Sequence, residues 1–316
     1  MNNFWEILGF SLSITIPIFL ILVLGVALYR IRLINDNFVD VASKLVFNIT
    51  LPALLFISIS RTNITKNTDF SLALYAVGSV IIVYILLELL ASRIIPIKAD
   101  RGVVIQGAFR SNMGIIGLAY CVNAYGENVF SVASIYLGSV TILFNILSVI
   151  CLNRSMDAQK SITYTLKSIA KNPLIIAIVA ALLSSYLGLH IPSTLHKAGS
   201  YFAQMTLPLA LICAGASLNF GALKKDMSTA LLSAIGKLVV VPSLITLGGY
   251  FFGYRGMQLG VLFLMSSAPS ASAGYIMVRA MGGNSSLAAN VIVLTTIASV
   301  FSTSIGVAIL SSLHLI

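Results

Sequence analysis

The sequence predicts an all-α integral membrane protein of ten transmembrane helices, and three observations predict it. Of its 316 residues 58% are hydrophobic and only 9% charged, with a mean hydropathy of +1.01, whereas a soluble domain carries roughly a quarter charged residues. Such a chain cannot cover a water-facing surface and takes the lipid bilayer as its partner. Polar punctuation cuts it into ten apolar runs, each near the roughly 20 residues a helix needs to cross. The basic residues fall unequally on the two sides of those runs.

The first run, 8–28, opens as MNNFWEILGF. Its start lacks basic residues, its apolar stretch is too long for a signal h-region, and no A-x-A site follows. It reads as a first helix with Trp5 at the interface. The next runs are 40–60, 70–92, 102–124 and 129–151. The longest polar segment, Asn153 to Asn172, comes halfway and holds Arg154, Asp157, Lys160, Lys167 and Lys171. It divides a first half, 1–152, from a second, 173–316, and Pro173 suits the first turn of span six. The second half continues through 173–189, 198–219, 228–252, 256–279 and 287–311.

With the N-terminus outside, the cytoplasmic loops carry Arg30, Arg32, Arg93, Lys98, Arg101, Arg154, Lys160, Lys167, Lys171, Lys224, Lys225 and Arg279. The outer side carries only Arg61, Lys66, Lys197 and Arg255, with Lys44, Arg110 and Lys237 inside spans. The bias of twelve against four puts both termini outside a multi-pass cell membrane protein. It also explains the net charge of +10. The basic residues are spread singly, without a stripe of interleaved aromatics, so nucleic acid is not a partner.

Five spans per half is an odd number, so a duplicated half inserts upside down. FNITLPALLF in span two, with Asn48 and Pro52, resembles AQMTLPLALI in span seven, with Pro208. Gly117 and Gly126 of span four match Gly274 and Gly283 of span nine at nearly the same offset. This sets RSNMGIIGLAYCVNAYG, 110–126, against SSAPSASAGYIMVRAMGG, 266–283. Both are span-centre segments rich in small, polar and helix-breaking residues: Asn112, Gly114 and Gly117 against Pro269, Ser270, Ser272 and Gly274, with Met113 beside Asn112 as a further candidate substrate contact.

Irregular backbone at membrane depth survives only when buried in protein or lining a wet cavity. Paired broken helices in inverted halves point to a transporter's binding site, and their half-helix N-termini suit an anion. Small residues in spans also serve close packing, but the inclusion of Arg110 and Asn112 favours a site, because intramembrane ionisable groups default to function.

Asn112, Gly117, the AYG at 124–126, the TLP of span two, PLALICAGASLN at 208–219 and APSASAGY resemble the auxin efflux carrier family, whose fold is related to that of bile acid/sodium symporters. The resemblance implies two inverted five-helix repeats in which helices four and nine unwind and cross. It also implies a scaffold of helices 1, 2, 6 and 7 beside a transport domain of helices 3–5 and 8–10, moving as an elevator. Substrates in that family are small organic anions such as auxin, malonate or malate. By the same resemblance Ala119, Tyr120, Tyr275 and Asn48 join the candidate substrate contacts. The chain departs from the family at Ala119, where many members carry a crossover proline, and at Gly274, where plant carriers carry another. Glycine permits a break at the second position.

Arg110 lies roughly 13 Å and Lys237 roughly 18 Å past the nearest cytoplasmic basic residue at 1.5 Å per residue. Glu88 is the only acid well within a span. The interior is therefore more positive than negative, which favours an anion. Alternatively Glu88 pairs with Lys237 or Arg110 as internal glue. Span nine lacks an acid for a carboxylate-based sodium site, so proton or sodium coupling stays open.

Cys121, Cys151 and Cys213 form no CxxC and have no His nearby, and His190, His196 and His314 fall near span ends; no metal or other cofactor is expected. An enzyme would need acid pairs, His clusters or a Ser–His set at span depth, and none is present. A channel is the remaining rival to a secondary transporter, and a homodimer is the assembly to test.

Overall fold

A computed structural model describes residues 2–60, 71–156, 171, 173–187, 189, 191–218 and 226–316. The charges Arg61, Lys66, Asp157, Lys160, Lys167, Lys224 and Lys225, His190, and the side chain of Trp5 lie outside the described residues.

Among the described residues the structure is helical, with no strand. In chain order the helices are α1 (Asn2–Arg30), α2 (Asp36–Leu45), α3 (Leu51–Ser60), α4 (Ser71–Ile94), α5 (Lys98–Phe109), α6 (Leu118–Tyr125) and α7 (Phe130–Met156). After the polar connection come α8 (Pro173–Tyr186), α9 (Ser193–Ala216), α10 (Met227–Ile235), α11 (Val241–Phe251), α12 (Gly256–Ser267), α13 (Ser272–Ala280) and α14 (Ser285–Ser312). Pro173 begins α8, where its missing N–H costs nothing. Asn35 caps α2 by accepting from Phe38 N at 2.9 Å, and Asn284 caps α14 by accepting from Leu287 N at 3.0 Å.

Seven helical stretches among the described residues are long and apolar enough to cross a membrane. The sequence divides the same apolar chain into ten runs, and the difference has a physical origin. Runs four and nine are each interrupted near their centre, and α8 has only 14 residues. The helical stretch Met113–Met156 joins the second half of run four to all of run five. Large apolar side chains lie on the outside, such as Leu74 at 73% and Phe301 at 68% exposure. That is the surface of a multi-pass membrane protein rather than of a soluble one.

Among the described residues three π-helical turns interrupt the helices, at Val46–Thr50, Met113–Gly117 and Gly236–Val240. Such turns concentrate at functional sites, and these hold Asn48, the Met113–Gly117 segment and Lys237.

The helices sort by packing. α9 runs along α1, and α3 lies on both α8 and α9. The α1–α9 contact needs glycine: a Cβ on Gly25 would collide with the Ile212 backbone, and one on Gly215 with the Leu22 backbone. Part of the ICAGA stretch is therefore a close-packing device. Elsewhere α4 and α5 pack on α7, α11 on α12, and α10 on α5 and α14. α1 also touches α14, where Thr15 and Ser304 share a 2.7 Å hydrogen bond.

Candidate functional site

Two short extended segments meet at the centre of the bundle. The first follows α5: Arg110 has φ −82° and ψ 93°, and Asn112 φ −78° and ψ 62°. The second follows α12: Ala268 has φ −56° and ψ 143°, as the residue before a proline prefers, and Ala271 φ −73° and ψ 130°. The segments lie antiparallel and bond each other. Asn112 N donates to Pro269 O at 2.7 Å, Ala271 N donates to Arg110 O at 3.0 Å, and Ser111 bridges Ser270.

Polar side chains satisfy the rest of this buried backbone. Thr295 Oγ1 accepts from Ser270 N at 3.1 Å, and Ser270 Oγ donates to Gly107 O at 2.5 Å. The breaks use no left-handed residue, so glycine is not what permits them. Gly117 is helical, at φ −61° and ψ −44°, and lies beyond the break. A Cβ there would meet Met265 Sδ at 3.1 Å, and one on Gly274 would meet Gln106 Oε1 at 3.3 Å. Both glycines serve close approach between the crossing segments.

A helix starts anew from each break, and its first N–H groups have no intrahelical acceptor. These starts, Met113–Ile115 and Ser272–Ala273, line one cavity of about 480 Å³. α2, its π turn, α7 and α9 complete the wall, with Asn48, Thr141, Cys213 and Ser217. Its exposed end holds Asp40 and Lys44, an ion pair at 2.7 Å. A second cavity, of about 330 Å³, is lined by Asn112, Ser217, Ser270, Ser272, Tyr275 and Thr296, among others. Asn112, Ala214, Ser217 and Ser272 border both. Asn112 is thus held by its backbone at the meeting point, while its side-chain amide has no protein hydrogen bond among the described residues.

Arg110 is buried in the wall of the larger cavity. Nη1 donates to Phe144 O at 3.2 Å and Ser148 Oγ at 2.9 Å, and Nη2 donates to Asn145 Oδ1 at 2.8 Å. All three acceptors are neutral, so its charge is held in place but not cancelled. Of its five N–H donors, three are used by α7.

The other sequence candidates are distributed differently. Asn48 lines the cavity, with Nδ2 donating to Lys44 O at 2.8 Å. Pro269 contributes its carbonyl to the crossing rather than a cavity surface. Ala119 and Tyr120 are buried and line neither cavity; Tyr120 Oη donates to Ser299 Oγ at 3.3 Å. The pairing of Glu88 with Lys237 or Arg110 is not found. Glu88 accepts from Tyr84 Oη at 2.7 Å and lies 3.7 Å from Arg154, because α4 carries it at the end facing the close of α7. Lys237 is fully buried and lines neither cavity. Ala214, Ser217, Thr141 and Thr296 are among the cavity residues that the sequence did not single out. Ser217 sits within PLALICAGASLN, so that motif carried a signal for it.

Residues 11–307 match a protein-family model described as "Membrane transport protein". The chain is 27% identical over 304 residues to an uncharacterized transporter of Escherichia coli (strain K12), covering 90% of this chain and 94% of the relative. It is 26% identical over 266 residues to a protein of Rhizobium meliloti (strain 1021) described as "Putative malonate transporter", covering 80% and 81%. It is 25% identical over 251 residues to an uncharacterized transporter of Methanocaldococcus jannaschii, covering 76% and 79%.

Proposed function

This chain belongs to the membrane transport protein family, which includes the auxin efflux carriers, and we propose on that premise that it is a secondary active transporter of small organic anions. The observation that carries the anion reading is the meeting of Asn112 and Ala271 with the opposite break, which brings two half-helix starts to one cavity. Free N–H groups and the positive ends of two helix dipoles are then directed at one ligand. Arg110, whose acceptors are all neutral, adds a full positive charge. A mono- or dicarboxylate such as malonate, or an auxin-like acid, fits such a site; the relative described as "Putative malonate transporter" supports the dicarboxylate.

In this reading the ten apolar runs are ten transmembrane segments in two inverted repeats of five. The offset that aligns Gly117 with Gly274 also aligns Asn112 with Pro269, and these two share a hydrogen bond, as expected of residues beside a pseudo-two-fold axis. The α1–α9 and α3–α8–α9 packing supports a scaffold of segments 1, 2, 6 and 7. Both cavities lie between α9 of that group and the crossing segments, where an elevator movement would slide one group past the other. With Asp40 and Lys44 at its exposed end, the larger cavity opens to the side that follows Arg30 and Arg32, the cytoplasm by the distribution of basic residues.

Counterflow in proteoliposomes with a panel of mono- and dicarboxylates and auxin tests the reading. Saturable exchange of at least one carboxylate is expected. Non-saturating flux with ionic current would make the protein a channel instead.

A further inference from the structure

Lys237 belongs to neither cavity, yet it is fully buried at the crossing. It sits in the π turn Gly236–Val240. Its Nζ donates to Ser111 Oγ, in the first break, and at 2.6 Å to Ser266 O, in the last turn before the second. Ser111 Oγ in turn donates to Ser266 O at 3.2 Å. No carboxylate pairs with Lys237 among the described residues.

The electrostatics of the crossing explain what balances this charge. α5 and α12, 12 residues each, both end at the crossing. Their C-terminal carbonyls present partial negative charge there, just as the restarting helices present partial positive charge to the cavity. In broken-helix transporters, unwound carbonyls and half-helix C-termini form a place suited to a coupling cation. Here an ammonium tethered to the chain stands among those oxygens.

We propose that Lys237 is the built-in cation of the crossing: its ammonium occupies the place that a free monovalent cation would otherwise take, so transport needs no sodium there. The charge holds the two C-terminal ends together without an ion that binds and leaves in each cycle. Lys237 is thereby a positioning residue, acting on the anion through the geometry of Ser111 and Asn112. The uptake arm of the test rests on the transporter reading above; the melting arm does not.

Three proteins decide the matter, each measured with sodium, with ethylammonium and with the bulky N-methylglucamine as sole cation, for radiolabelled malonate uptake and melting temperature. Wild type is expected to transport and melt alike with sodium or N-methylglucamine. Lys237→Ala is expected to lose uptake about tenfold or more in N-methylglucamine, the scale of losing charge-assisted hydrogen bonds. Ethylammonium or sodium should restore both its uptake and its melting temperature. Lys237→Met, similar in shape but uncharged, should melt near wild type and transport poorly with every cation, because its side chain fills the place.

Wild-type uptake that stops without sodium overturns the proposal, as does Lys237→Met uptake at the wild-type level. If Lys237→Ala does not fold, those two arms still decide. If wild type moves no malonate, the substrate reading fails, while the melting response of Lys237→Ala to small cations still reads the site.

Discussion

Asn112 and Pro269 stand 157 positions apart and are joined by a 2.7 Å hydrogen bond from the Asn112 N–H to the Pro269 carbonyl. That bond fixes the Asn112 backbone without using its side chain, which borders both cavities. We predict that Asn112→Ala leaves folding and membrane insertion intact, since the backbone bond survives. Saturable uptake should fall about tenfold or more, the scale of one or two hydrogen bonds to a charged ligand. Wild-type uptake by this variant would remove Asn112 from the substrate site.

Arg110 presents a planar fork to Phe144, Asn145 and Ser148, which a lysine cannot reproduce. We expect Arg110→Lys to keep the charge but weaken carboxylate affinity about tenfold, with a stability loss of about 1–3 kcal/mol from stranded acceptors. Arg110→Met should show no saturable uptake. Competition binding with malonate, read beside the melting temperature, checks this; unchanged affinity in Arg110→Met would leave the anion reading without its full charge.

Because Glu88 meets Tyr84 and the exposed Arg154 rather than Lys237, the two charges should behave independently. We predict that Glu88→Gln costs at most about 1 kcal/mol. The double variant Glu88→Gln/Lys237→Gln should show additive losses within about 0.5 kcal/mol, as for sites without shared partners. Recovery of stability in the double variant, measured by melting, would restore the internal-pair reading.

The glycines separate into two mechanisms that melting and uptake tell apart. Gly215→Val drives a side chain into the Leu22 backbone, so we expect destabilisation of about 1–3 kcal/mol from overpacking. A Cβ on Gly114 would meet only Leu51 Cδ2 at 3.5 Å and Leu137 Cδ1 at 3.9 Å. Gly114→Ala should therefore fold normally while narrowing the cavity and weakening uptake. A Gly215→Val protein that melts like wild type would remove the backbone contact between α1 and α9.

By itself the sequence determined the membrane class, the ten apolar runs and the two places where a helix could not continue. Hydropathy and helix-breaking composition act within a few residues of chain, so a string of letters carries them. It also placed Asn112, Met113, Gly114, Ser270 and Ser272 together, because the offset between the halves is a one-dimensional signal. Only the tertiary structure decided that the breaks fall at Arg110–Asn112 and Ala268–Ala271, ahead of the glycines, whose small size serves packing. It alone assigned Glu88 to Arg154, Arg110 to α7, Lys237 to Ser111 and Ser266, and Ser217 to both cavities. Those assignments depend on how each helix is rotated and how deep each side chain sits against a neighbour from a distant part of the chain. Residue spacing along one helix does not carry that information; the packing between helices does.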